Sequence, residues 1–174
     1  MKKIVSYIFI PLFVLLISVL GAWGYAEYHI AKYSIYYAQH LPHGEDTDPV
    51  MAMVVDYLWS IERPELEGYR YDDDGDNLIG LDNKYITKYD EKYDFVRHTF
   101  DNDSDRFEHY YFSNSGKFLY YTPDRDKTKF KEIVYENQSK ISIKKLLAPI
   151  IDSQPTPGIN LQWYFNWKYQ KRFE

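Results

Sequence analysis

The chain has 174 residues, 45% hydrophobic and 27% charged, which suits one folded domain plus an anchor and excludes a disordered chain or two independent cores. Past residue 26, 19 basic groups stand against 26 acidic ones, a net of −7 that repels phosphate backbones and argues against nucleic acid while suiting a basic protein partner. Cys is absent, which excludes disulfides, thiolate metal sites and a Cys nucleophile, so the fold rests on its core alone.

Ile4 to Trp23 is an uncharged run of 20 residues. As a helix it covers roughly 30 Å, the thickness of a hydrocarbon core. Lys2 and Lys3 precede it, and Trp23, Tyr25 and Tyr28 follow where an interfacial aromatic belt belongs. The positive-inside rule then puts the N-terminus in the cytoplasm and the acidic bulk outside. Gly24-Tyr25-Ala26 offers a rival reading as a signal-peptidase site, which would leave Glu27 as the new N-terminus. The apolar run is longer than a usual signal h-region of roughly 7–15 residues, and a large Tyr sits within the site, so a retained anchor is expected. Pro11 is a possible kink and Gly24 a possible bend.

From Tyr25 to Leu41 the apolar residues Ala26, Ile30, Tyr33, Tyr37 and Leu41 recur at helical spacing, which predicts a juxtamembrane helix packed on the domain. Pro42, Gly44, Glu45, Asp46 and Asp48 make a loop. Asp48-Pro49 then starts a helix whose buried face is Val50, Met53, Val54, Tyr57, Leu58 and Ile61, ended by Arg63-Pro64.

Short strands are expected at Tyr69–Tyr71, Leu78–Leu81 and Tyr85–Tyr89, separated by Asp/Asn/Gly turns. A clearer meander follows near Tyr93–Phe100, Arg106–Phe112, Lys117–Thr122 and Phe130–Glu136. The turn Ser113-Asn114-Ser115-Gly116 places Gly where a hairpin loop needs positive φ. A short helix is expected at Ile143–Ile151, before the linker Pro155-Thr156-Pro157-Gly158.

Ile159, Leu161, Trp163, Phe165, Trp167 and Tyr169 alternate with mostly polar residues. Period two predicts a strand with one apolar face, which would complete the sheet and bury Trp163, Phe165 and Trp167 with Val54 and Leu58. The expected fold class is therefore α+β: an N-terminal transmembrane helix, then a small antiparallel β-meander sheet with helices packed on one face. The expected organisation is an anchor over 1–26, a juxtamembrane helix and loop over 27–44, and an extracytoplasmic domain over 45–174.

Motifs that carry chemistry are sparse. His40, His43, Glu45, Asp46 and Asp48 form the one cluster of mixed possible metal ligands, but Pro42 and Gly44 break the register that would align them. Asp72-Asp73-Asp74-Gly75-Asp76-Asn77 and Asp101-Asn102-Asp103-Ser104-Asp105 invite a calcium reading. Neither fits an EF-hand loop, since Arg70 and Phe112 fall where ligands are required, and both read as solvated turns. There is no Gly-x-Ser-x-Gly elbow and no Gly-rich phosphate loop. His98 and His109 sit on neighbouring strands amid acids, where a general base is conceivable. Asn102-Asp103-Ser104 and Asn137-Gln138-Ser139 match a glycosylation acceptor pattern, which matters in a eukaryotic secretory pathway.

No catalytic, cofactor-binding or metal-ligating residue is assigned, and no cofactor is expected. The expected function is non-catalytic protein binding by a single-pass domain outside the inner or plasma membrane, as an envelope-complex subunit or immunity-type inhibitor. The alternative is an envelope hydrolase or a carbohydrate-binding module with an aromatic platform.

Overall fold

The computed structural model describes residues 2–73, 77–101, 104–123 and 128–174, with side chains from Ile10 onward except those of Phe100, Asp101, Ser104 and Asp105. Five helices and six strands follow in the order α1 (Lys2–Lys32), α2 (Ser34–Gln39), α3 (Pro49–Asp56), β1 (Tyr69–Asp72), β2 (Leu78–Leu81), β3 (Lys84–Tyr89), β4 (Lys92–Asp101), β5 (Ser104–Ser113), β6 (Phe118–Pro123), α4 (Ile133–Asp152) and α5 (Gln162–Phe173). The sheet is antiparallel in plain sequence order, each strand paired to the next. With helices before and after that meander, the arrangement is α+β.

α1 runs unbroken through Pro11, Gly21 and Gly24. Its stretch from Ile10 is long and apolar enough to cross a membrane, and its side chains from Ile10 to Gly24 are exposed. The first buried residues are His29, Ile30 and Ala31, so the helix meets the domain about a turn and a half beyond Trp23. The expected stripe holds, with Ile30, Tyr37 and Leu41 buried, although the helix breaks at Tyr33 before α2.

α3 starts as its caps dictate. The Asp48 carboxylate accepts from Met51 N at 2.9 Å, and Pro49 occupies the first turn. The regular helix ends at Asp56, five residues before Ile61, and turns bonded to the Tyr57 carbonyl carry the chain to Leu58 and Ile61, both buried.

The register sets the two faces of the sheet. Ile79 lies opposite Ile86, Ile86 opposite Phe95, Phe95 opposite Tyr110, and Tyr93 opposite Phe112. These residues are buried together with Met53, Val54 and Leu58 of the α3 segment and with Ile143, Leu146, Leu147 and Ile150 of α4. α4 is the longer form of the helix expected at Ile143–Ile151. It begins at Ile133, so the strand expected at Phe130–Glu136 reduces to one bridge between Phe130 and Tyr121. Tyr135 instead stacks on Tyr121 from the helix, with ring centroids 4.3 Å apart.

The largest correction is at the C-terminus. Residues 162–173 form helix α5 and not a sheet strand. Phe165 and Phe173 are fully buried, whereas Trp163 and Trp167 are 71% and 74% exposed, so those two Trp are not core residues. The helix is tied in at both of its ends by the N-terminal part of the chain. Tyr37 packs on Phe165, and its hydroxyl donates to Ile159 O at 3.1 Å and accepts from Leu161 N at 3.0 Å. At the other end, Gly44 N and the Thr47 hydroxyl both donate to Phe173 O, satisfying a carbonyl that the helix end leaves open.

Candidate functional site: the sheet face turned away from the helices

Strand alternation sends every second side chain of β4 and β5 away from the helices. Asp94, Val96 and His98 of β4 and Phe107, His109 and Tyr111 of β5 share this face, with Tyr85 of β3 and Tyr120 and Thr122 of β6 beside them. Val96 lies opposite His109 and Asp94 opposite Tyr111, so Asp94 and His109 are diagonal neighbours. The His109 ring nitrogen Nδ1 stands 2.9 Å from Asp94 Oδ2. His109 is parallel to Tyr111 at a centroid distance of 6.0 Å, and Tyr111 meets Tyr120 at 4.8 Å.

This is a half-buried patch. Burial first, and the Asp94 carboxylate second, push the Tyr111 hydroxyl up to about 12. The same two causes raise Tyr85. Both phenols are therefore neutral and able to donate at neutral pH. Towards β1 and β2 the face opens into a shallow hollow of about 620 Å³ lined by Arg70, Tyr71, Asp72, Leu78 and Tyr85. His98, the other expected histidine, stacks flat on Phe107 at 4.3 Å and does not line this hollow, and neither does His109.

Sequence reading found both histidines and missed Asp94 as the partner. The signal was available in the register: with Asp101 paired to Ser104, counting back along both strands makes Asp94 and His109 diagonal. A carboxylate that orients an imidazole is half of a general-base arrangement, and it equally fixes a His within a recognition surface.

The other candidates have local partners. The His40 ring nitrogen Nδ1 lies 2.7 Å from Tyr36 O, and His43 Nδ1 lies 2.9 Å from Gly44 O. Asp46 pairs with Lys117, and Asp48 caps α3. Among the described residues, no three His, Asp or Glu side chains come together as metal ligands. Of the two Asp-rich turns, residues 74–76 and 102–103 lie outside the described residues, as does Asn102-Asp103 of one glycosylation pattern. Asp73 pairs with Arg63 at 3.1 Å, and the Asn77 amide donates to Val55 O at 2.8 Å.

A second polar cluster lies between the sheet and α5. Asp56 ends α3, where the helix dipole disfavours a carboxylate. Three donors offset this: Lys88 Nζ at 2.9 Å, the Tyr93 hydroxyl at 3.0 Å and Arg172 at 2.8 Å. Arg172 also donates to Asn114 O at 2.8 Å, so one guanidinium joins α3, β4, the β5–β6 turn and α5. Four hydrogen bonds to Asp56, Tyr93 and Asn114 hold it in place, which fits a structural role.

No protein-family model, curated protein or solved structure matches this chain.

Proposed function

We propose that this protein is a bitopic membrane protein whose acidic domain stands outside the membrane and binds another protein without catalysis. The observation that carries the reading is the aromatic face around Tyr85, Tyr111 and Tyr120, with the His109–Asp94 pair at its centre, on the side of the sheet away from the helices. Tyr supplies contact area at low entropy cost, and an oriented His adds a directional hydrogen bond. The net charge of −7 past residue 26 favours a basic partner through faster encounter. The span in α1, with Lys2 and Lys3 before it, supports an N-terminus in the cytoplasm. Tethering raises effective concentration for partners near the bilayer. An envelope-complex subunit and an immunity-type inhibitor of an incoming toxin both fit this chemistry.

A pull-down from detergent-solubilised membranes, at low and raised salt, tests the reading. A stoichiometric partner should be captured at low salt, weakened by salt, and lost with Tyr111→Ser. The second reading, an envelope hydrolase, draws on the carboxylate-oriented imidazole. Turnover of a glycan or peptide substrate that His109→Ala abolishes, with no stoichiometric partner, would replace the first reading with it.

A further inference from the structure

We propose that α5 is a second membrane contact, lying on the bilayer surface with Trp163 and Trp167 inserted among the lipid headgroups. The inference rests on α1 being a membrane span and goes on to fix which side of the domain faces the lipid.

α5 is placed beside the point where α1 would leave the bilayer. The Tyr164 hydroxyl donates to Glu27 Oε1 at 2.6 Å, and Lys168 forms an ion pair with the same carboxylate. Glu27 is one helical turn beyond Trp23, about 6 Å along the axis. Trp23, four residues before Glu27, shares its side of α1. Trp163 and Trp167 are four residues apart and so share one side of α5, roughly opposite Phe165, which is in the core. Tyr164 and Trp167 stack at 5.6 Å, which extends the aromatic surface from α1 to the exposed pair. Trp at the depth of the headgroups is where its apolar body and polar N–H are both satisfied.

Charge points the same way. α5 holds Lys168, Lys171 and Arg172 and no acid; Lys168 pairs with Glu27 and Arg172 with Asp56, so Lys171 is the cation that these pairs leave for lipid. Residues 27–161 hold 16 basic and 25 acidic groups, a net of −9, so this helix is the basic element of an acidic domain. A short helix with Trp on one side and Lys on its flank has the composition of an interfacial helix that binds anionic lipid. A glycan platform would explain the exposed Trp pair. It would not explain the basic flank or the placement beside α1.

The test uses the full chain reconstituted in vesicles of phosphatidylcholine and phosphatidylglycerol, with part of the phosphatidylcholine brominated on acyl carbons close to the glycerol. The four Trp residues are separated by conservative Phe variants, and circular dichroism checks that each retains its helix and strand content. A variant with Trp23→Phe and Trp59→Phe reports on Trp163 and Trp167. Their emission should fall by about half in brominated vesicles, as expected of Trp at the interface. A companion variant with Trp59→Phe, Trp163→Phe and Trp167→Phe reports on Trp23 alone. Quenching of Trp23 without quenching of the α5 pair overturns the proposal and leaves the anchor intact. No quenching of Trp23 overturns the anchor reading, and the proposal with it. Retention on a glycan column that Trp163→Phe/Trp167→Phe abolishes, with the pair unquenched by lipid, would assign the surface to sugar instead.

Discussion

The sheet and the helical layer are assembled in opposite ways. Every strand from β1 to β6 pairs with its neighbour in sequence, so the sheet is built from successive hairpins. The helical layer joins segments from both ends of the chain: α1, α2 and the loop after α2 meet α5 through Glu27, Tyr37 and Gly44, more than 100 residues from their partners. Local pairing costs little loop entropy, whereas closure of the helical layer has to overcome the ordering of everything between its two halves. Substitutions at the joins of the helical layer and in the hairpins should separate the contributions of the two.

The largest effect is expected from Phe165→Ala, which removes a fully buried ring between Tyr37 and Tyr169. Urea unfolding of the detergent-solubilised protein should show a loss of about 3–5 kcal/mol. Gly116→Ala comes next. Gly116 has φ of +78°, and an added Cβ would lie 2.7 Å from Asp48 O, so the hairpin would be forced off the start of α3. Left-handed strain and backbone overlap together should cost about 2–4 kcal/mol in the same titration. Arg172→Ala leaves Asp56 with Lys88 and Tyr93 only, and should cost about 2 kcal/mol.

Asp48→Asn should act more weakly and with a definite pH dependence. Burial raises the Asp48 carboxyl above its ordinary value of 3.8. A carboxyl raised in the folded state binds its proton more tightly there than in the unfolded chain. Stability then falls as pH rises from the unfolded value through the raised one. Asn caps equally well and lacks that charge, so the variant should gain on the parent across this window, by less than about 1 kcal/mol above it. Thermal melts at steps of pH on either side would show whether the difference has this sign. Trp163→Ala closes the series. With its side chain outside the core, its unfolding free energy should stay within about 0.5 kcal/mol of the parent. A loss as large as that of Phe165→Ala would mean that Trp163 packs within the fold.

These residues also explain what was legible in advance. Turn chemistry located hairpins at Asp82-Asn83 and Ser113–Gly116, where Asp82 and Gly116 adopt positive φ. Asp48-Pro49 located the start of α3. The C-terminal helix was misread because its aromatics satisfy two periods at once. Trp163, Phe165, Trp167 and Tyr169 alternate, but Trp163 with Trp167 and Phe165 with Tyr169 and Phe173 also form rows four apart. Gln162, Lys168, Gln170, Lys171 and Arg172, all good helix formers, were the clue that favoured the helix. At α4, Ile133 and Val134 give a strand-like, β-branched start, yet both are exposed and the burial begins further along at Ser139 and Ile143. Asp94 escaped notice because its significance depends on cross-strand register, which composition does not carry.

The position of α5 also sets a timetable for biosynthesis. All six strands precede Phe165 and Phe173 in the chain, the residues that close α5 against Tyr37 and the loop at Gly44. Until then the emerging chain carries the sheet with α3 and α4 but leaves open the apolar surface that α5 covers, a form suited to chaperone capture and prone to aggregation. A message interrupted shortly before codon 165 would thus yield a product with nearly all of its secondary structure but without the closure that α5 supplies, a natural target for proteolytic quality control.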